Sequence, residues 1–197
     1  MNVGGVDMAR ERKFTLEELY QVSKDTLIQE GYNGFTFSIL AKKLNVSRGT
    51  IYKYFENKDE LITEYMVHEM NKFIKELINI NQFTHFQEQF DFLFELIFKD
   101  RNIHQLIGMA SQIENKNNTT VQKNIEILEN LHMKMYTLLH DFIQQGKKEK
   151  LVKESLNNNL ILGFIFQTIV IPNHFQIPDK EWIYSIKEMV QHGMLTK

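Results

Sequence analysis

Apolar residues recur at three- and four-residue spacing along almost the whole chain, and the alternation that a half-buried strand needs is scarce. The pattern predicts an all-α protein of about nine helices. The first is expected from Thr15 to Glu30. Thr15 and Glu18 form a capping-box pair, Leu16, Leu19, Tyr20, Ser23 and Leu27 make the buried stripe, and Gly31 is the stop. Two short helices follow, one after Thr36 and one opened by Ser47, and then a long one from Lys58 to about Ile80. Further along, Phe86, Phe90, Leu93, Phe94, Ile97 and Phe98 give one face to a helix over Thr84 to Lys99, and a shorter helix is expected over Ile103 to Ile113. The polar run from Glu114 to Thr120 reads as a loop. After it Val121, Ile125, Leu128, Leu131, Met135, Leu138, Leu139 and Phe142 mark a long helix ending near Gly146. Two helices close the chain. Leu156 to Ile171 is apolar nearly all round, and Asp179 to Gly193 has Trp182, Ile183, Ile186, Met189 and Val190 as its stripe. This order suggests a flexible arm over residues 1–13, a three-helix segment over 14–60 and a larger helical domain over 61–197.

The two short helices carry the chemistry. Thr36 is placed to cap the first, and Ile39, Leu40 and Leu44 form its inner face. Asn45 stops it, because asparagine tolerates the left-handed backbone of a tight interhelical turn, and Val46 plugs the angle. Ser47 caps the second helix, where Ile51 and Phe55, four residues apart, face the core. Gly49, Tyr52 and Lys53 then turn outward, with Arg48 and Tyr54 at the edges. Arg48 lies in the first turn, the part of a recognition helix that meets base edges, and its guanidinium matches guanine O6 and N7 together. Gly49 has no side chain to hold the helix off the groove. Thr36, Ser38, Ser47, Thr50, Tyr52, Lys53 and Tyr54 offer hydroxyls and an ammonium to phosphates. Lys58, opening the next helix, joins its charge to free first-turn N–H groups that suit an anion.

Composition narrows the setting. An apolar content of 43% is enough for a core, so global disorder is not expected. Cysteine is absent, which rules out disulfides and thiolate metal sites and makes a reducing compartment, the cytoplasm, the simpler home. Arg10, Glu11, Arg12 and Lys13 have no apolar run behind them, unlike a signal peptide. The most apolar stretch, Leu160 to Pro172, falls short of the roughly 20 residues a bilayer requires, so no membrane partner is expected. A net charge of −2 argues against coating nucleic acid by bulk electrostatics. Residues 42–58 nevertheless hold Lys42, Lys43, Arg48, Lys53 and Lys58 against Glu56 alone.

The ordered set Gly31-Tyr32, Thr36, Ala41, Val46-Ser47, Gly49-Thr50-Ile51-Tyr52, Tyr54-Phe55, Lys58 and Leu61 resembles the helix-turn-helix of the tetracycline-repressor (TetR) family of bacterial regulators. Two positions depart from the pattern: Asn45, where that family usually has glycine, and Leu40, where isoleucine is common. The resemblance implies a homodimer on a palindromic double-stranded DNA operator, usual repression, and an effector pocket in the C-terminal domain. It also implies that the last two helices pair with their copies, with Leu160, Phe164, Thr168, Trp182, Ile186, Met189 and Val190 as interface candidates. Two-fold symmetry would set the recognition helices about 34 to 36 Å apart, although a wider spacing stays open.

For the pocket the sequence offers Phe90, Phe94, Met109, Met135, Phe142 and Phe166, with His104 and His132 as polar points. Such a lining favours an apolar or aromatic effector. A C-terminal domain that docks a protein instead of an effector is the alternative. An all-helical enzyme or carrier has little support: Lys72 stands where the His68-Glu69 pair would need a second zinc-binding histidine, and there is no phosphate-binding glycine loop. No catalytic residue, cofactor or metal is expected.

Overall fold

The computed structural model describes residues 14–99, 112–114 and 117–194. Among them the chain forms eight α-helices with short 3-10 turns and no strand. It divides into two compact units, the first ending at Ile62 and the second beginning at Thr63. The expected arm over 1–13, most of the expected helix over Ile103 to Ile113, and His104 and Met109 with it, lie outside the described residues.

The first unit contains α1 (Leu16–Gly34), α2 (Phe37–Lys43), α3 (Arg48–Ile51) and the start of α4 (Lys58–Leu77). The capping box at its head is reciprocal. Thr15 Oγ1 accepts the Glu18 N–H at 3.1 Å, and the Glu18 carboxylate accepts the Thr15 N–H at 2.7 Å, a bond that holds the Glu18 carboxyl below its ordinary 4.5. Leu19, Tyr20, Ser23 and Leu27 are buried, whereas Leu16 is exposed. As the first residue of the helix, Leu16 leans back past the helix start and not onto a preceding turn. At Gly31 the backbone takes φ 68° and ψ 179°, which breaks α1 before three further residues close with the Phe35 N–H on the Gly31 carbonyl at 3.1 Å. A Cβ at Gly31 would meet nothing within 4 Å. Phe35, Phe37, Leu40, Ala41, Ile51, Phe55 and Leu61 form the core of this unit. Ile39 and Leu44, expected inside, are half-buried at its margin.

The second unit takes the rest of α4 and a 3-10 turn over Ile78–Gln82, followed by α5 (Phe86–Phe98), α6 (Thr119–Lys148), α7 (Asn158–Gln167) and α8 (Asp179–Met194). Phe86, Phe90, Phe94 and Phe98 succeed one another at each turn of α5, with consecutive ring centroids 5.9, 4.6 and 5.8 Å apart. Phe142 of α6 stacks on Phe86 at 4.9 Å. A buried polar bond crosses this apolar interior: Asn124 Nδ2 of α6 donates to Thr63 Oγ1 of α4 at 3.0 Å.

Three element boundaries differ from expectation. The polar run before α6 ends sooner, because Asn118 caps the helix by accepting the Val121 N–H at 3.1 Å. The same helix does not end near Gly146 but runs on to Lys148. Gly146 is buried mid-turn, where a Cβ would stand 2.6 Å from the Phe86 ring and 2.5 Å from a Val152 methyl, so its role is close packing and not termination. The expected helix over Leu156 to Ile171 is shorter: Asn157 caps α7 at Asn158, and a 3-10 turn over Thr168–Val170 ends it.

Candidate nucleic-acid interface

Between α2 and α3 the chain turns through Asn45 at φ 53°, the left-handed conformation that asparagine accepts more readily than most residues. The Val46 N–H returns to the Ala41 carbonyl at 2.9 Å. Thr36 Oγ1 accepts the Ile39 N–H at 3.4 Å and Ser47 Oγ accepts the Thr50 N–H at 3.2 Å, so both short helices are capped from their first residue. Ser47 and Thr50 also join their hydroxyls at 2.9 Å. α3 itself has only four residues, yet Ile51 is fully buried and Phe55 nearly so, which fixes which side of it remains outside.

That outer side carries Ser38, Ser47, Arg48, Gly49, Tyr52, Lys53 and Tyr54, all exposed, with Thr36 exposed at the head of α2 and Thr50 half-buried. The Arg48 guanidinium makes one long contact, 3.4 Å, with Ser38 Oγ. Tyr52 leans its ring edge-on against Phe37 at 4.9 Å, and Tyr54 does the same against Phe14 at 5.8 Å, while both remain substantially exposed. The two tyrosines therefore pack and project together. At Gly49 an added Cβ would meet nothing closer than the Ser47 hydroxyl at 3.8 Å. Among the described residues nothing requires glycine there.

Lys58 stands differently from its sequence expectation. It is half-buried, its ammonium donates to the Tyr32 carbonyl oxygen at 2.9 Å, and it sits 3.8 Å over the Tyr32 ring. The first-turn N–H groups of Asp59 and Glu60 are taken by Asn57 Oδ1 at 2.9 and 3.0 Å and are not free for an anion. Nearby, the Tyr32 hydroxyl donates to the buried Asp59 carboxylate at 2.8 Å. The Asn57 cap was open to sequence reasoning, since Asn57 followed by Glu60 repeats the spacing of Thr15 and Glu18.

The other candidate residues lie in the second unit. Phe90, Phe94, Met135 and Phe142 are buried in its core, Phe166 is half-buried and His132 is exposed, stacked on Tyr136 at 5.1 Å. A groove of about 640 Å³ takes only Phe94 from that set, its other walls including Phe92, Phe98, Ile183 and Tyr184. Of the residues expected to face a second copy, Leu160, Phe164 and Met189 are exposed and Trp182 is half-buried. Thr168, Ile186 and Val190 face their own core, because they fall on the inner stripes of their elements. Among the described residues no group of three histidine, aspartate or glutamate side chains is arranged to hold a metal, and no helix is long and apolar enough to cross a membrane.

Comparison with known proteins agrees with this geometry. Residues 19–65 match the family described as bacterial regulatory proteins, tetR family. The fatty acid metabolism regulator protein of Bacillus subtilis strain 168 is 25% identical over 160 residues, which cover 77% of this chain and 78% of that protein. The solved structure of the transcriptional regulator FadR from Bacillus subtilis in complex with stearoyl-CoA superposes with a TM-score of 0.64 at 20% identity, covering 91% of this chain and 99% of that one. A regulator from Saccharomonospora viridis in complex with choline gives 0.74 at 13% identity, over 92% and 98%. Residues 19–65 thus carry, in sequence and in shape, a helix-turn-helix of the kind described for the tetR family of bacterial regulatory proteins, on a fold shared with solved transcriptional regulators.

Proposed function

We propose that the chain is a cytoplasmic repressor that binds a palindromic operator as a homodimer, residues 14–60 reading the DNA and residues 61–197 dimerising and taking a small effector. The observation that carries this reading is the contrast between the two sides of α3. Ile51 is buried, while Arg48 and Lys53 are exposed and Gly49 leaves room it does not fill. In this reading Arg48 meets a guanine edge in the major groove. Thr36, Ser38, Ser47, Thr50, Tyr52, Lys53, Tyr54 and Lys58 set the register on phosphates. A gel shift with the promoter region of the neighbouring genes tests it. A discrete complex that resists excess unrelated duplex is expected, and equal affinity for every duplex would overturn it.

The dimer rests on α7 and α8. Leu160 and Phe164, one turn apart on α7, are 68% and 55% exposed, and Met189 on α8 is 72% exposed. Large apolar side chains left exposed on both helices mark an interaction surface. For the effector, the half-buried rings of Phe73, Phe166 and Tyr136 touch in series at 6.3 and 6.4 Å, and His132 extends the row to the surface. An aromatic seam of this kind suits an apolar ligand. Because the similar Bacillus regulator holds stearoyl-CoA, a long-chain acyl-CoA is the first effector to test. Loss of the gel-shift complex on adding it supports this assignment, and a thermal-shift screen in which only anionic sugars bind would overturn it.

A further inference from the structure

The only two prolines of the chain, Pro172 and Pro178, bracket the connection between α7 with its 3-10 turn and α8. Between them the loop is locked. Asn173 Nδ2 donates to the Ile177 carbonyl at 2.7 Å, and the Ile177 N–H donates back to Asn173 Oδ1 at 3.0 Å. Gln176 takes a positive φ of 52°, a conformation that glutamine adopts only where its surroundings impose it. On this fixed loop Phe175 is 88% exposed. Holding a bare phenylalanine on a stiffened loop gives an isolated molecule nothing, but it removes much of the ordering cost of binding once a partner arrives.

We propose that Phe175 is an anchor that reaches onto a second copy of this chain, extending the α7 face beyond its helix. The inference deepens the homodimer reading and rests on it. The occupant follows from charge. From residue 155 to 178 the chain holds no Asp, Glu, Lys or Arg, although such residues make up 24% of the whole. Within that uncharged stretch Leu160, Phe164, Val170, Ile171 and Phe175 are all exposed. Around a two-fold axis a surface meets its own copy, so a patch of one net sign would meet the same sign, and an uncharged apolar surface escapes that repulsion. Nucleic acid and anionic membranes are excluded as occupants by the same lack of cations, and depletion of charge at an apolar centre is the mark of homodimer interfaces.

Sedimentation equilibrium on the full chain tests the proposal with three variants, each checked by circular dichroism. Phe175→Ser, at a residue almost wholly outside the fold, is expected to leave helicity and thermal midpoint unchanged while raising the dimer dissociation constant on the order of tenfold or more, as loss of an aromatic anchor does. Asn173→Ala keeps the ring but frees the loop, and a rise of roughly threefold is expected from lost preorganisation. Phe164→Asp probes the α7 face itself. If Phe164→Asp gives monomers while Phe175→Ser dimerises like the wild type, the anchor is refuted and the dimer stands. If the wild-type chain is monomeric throughout, the dimer reading fails and takes the anchor with it.

Discussion

The Lys58 ammonium donates to the Tyr32 carbonyl oxygen at 2.9 Å and lies 3.8 Å from the centre of the Tyr32 ring. One lysine thus ties the start of α4 to the bend after α1 and keeps its charge beside the proposed DNA surface. Lys58→Ala is expected to lower unfolding free energy by about 1 kcal/mol through the lost hydrogen bond and cation–π contact. It should also weaken operator and random duplex alike, with the salt slope of binding reduced by roughly one. Denaturant unfolding and gel shifts at several ionic strengths measure the two effects. A loss confined to the operator would contradict the role of phosphate contact.

Among the described residues the Arg48 guanidinium has one long bond, to Ser38, so its removal should leave folding intact. Arg48→Ala is expected to cost about 1 to 3 kcal/mol of operator affinity and to relax the preference at one base position. A binding-site selection on wild type and variant reads both quantities. Unchanged base preference would remove Arg48 from sequence readout.

Gly49 separates folding from binding more sharply. A methyl group there meets no close neighbour, and alanine is the better helix former, so Gly49→Ala should unfold no earlier than the wild type and up to about 1 kcal/mol later. Operator affinity should nonetheless fall by at least tenfold, because in the proposed reading the added carbon stands between the α3 backbone and the groove. A variant that is both stable and fully binding would show that α3 does not enter the groove.

Gly146 predicts the reverse. Its added methyl would collide with Phe86 and Val152, both fully enclosed, so Gly146→Ala should destabilise the chain by about 1 to 3 kcal/mol despite the gain in helix propensity. Thermal denaturation checks this, and an unchanged midpoint would mean that the core yields more easily than its packing indicates.

Glu149 accepts the Phe86 N–H at the head of α5 through both carboxylate oxygens, at 3.1 and 3.2 Å, and Gln145 Nε2 at 2.5 Å. The Gln145 bond has the largest effect and holds its carboxyl below the ordinary 4.5; desolvation, next in size, opposes it, and the Phe86 N–H and the charges of His85 and Lys148 add to the lowering. A depressed folded value means that the group stabilises the fold above the unfolded value and loses that contribution as pH falls through the folded one. Stability measured from pH 6 down to pH 3 should therefore fall less steeply in Glu149→Gln than in the wild type. Parallel curves would show that the carboxylate is not held by these bonds.

The helix-turn-helix was legible in the sequence because its signals are local. A hydroxyl at each cap, an asparagine at the left-handed turn and two apolar residues four apart on α3 need no distant partner to be interpreted. Gly31 was legible for the same reason, since its backbone conformation is its own property. Gly146 was not: its reason is Phe86, sixty residues earlier, which periodicity cannot place beside it. Lys58 was half legible in a similar way: its charge is plain in the sequence, but the Tyr32 carbonyl and ring that hold it lie too far off in sequence for periodicity to place. The stripe of α8 was half legible. Ile186 and Val190 lie at its centre and are buried, and Met189 lies at its edge, where the helix turns outward.

At Gly31 room and handedness part company. Open space surrounds the place where a side chain would stand, yet φ 68° with ψ 179° is a backbone that an ordinary residue resists. The mirror image of that conformation is the extended geometry L-residues adopt with ease, so a D-alanine introduced at this position by chemical synthesis would match the bend. Chirality alone, and not crowding, decides which residue can stand at the bend of this first helix.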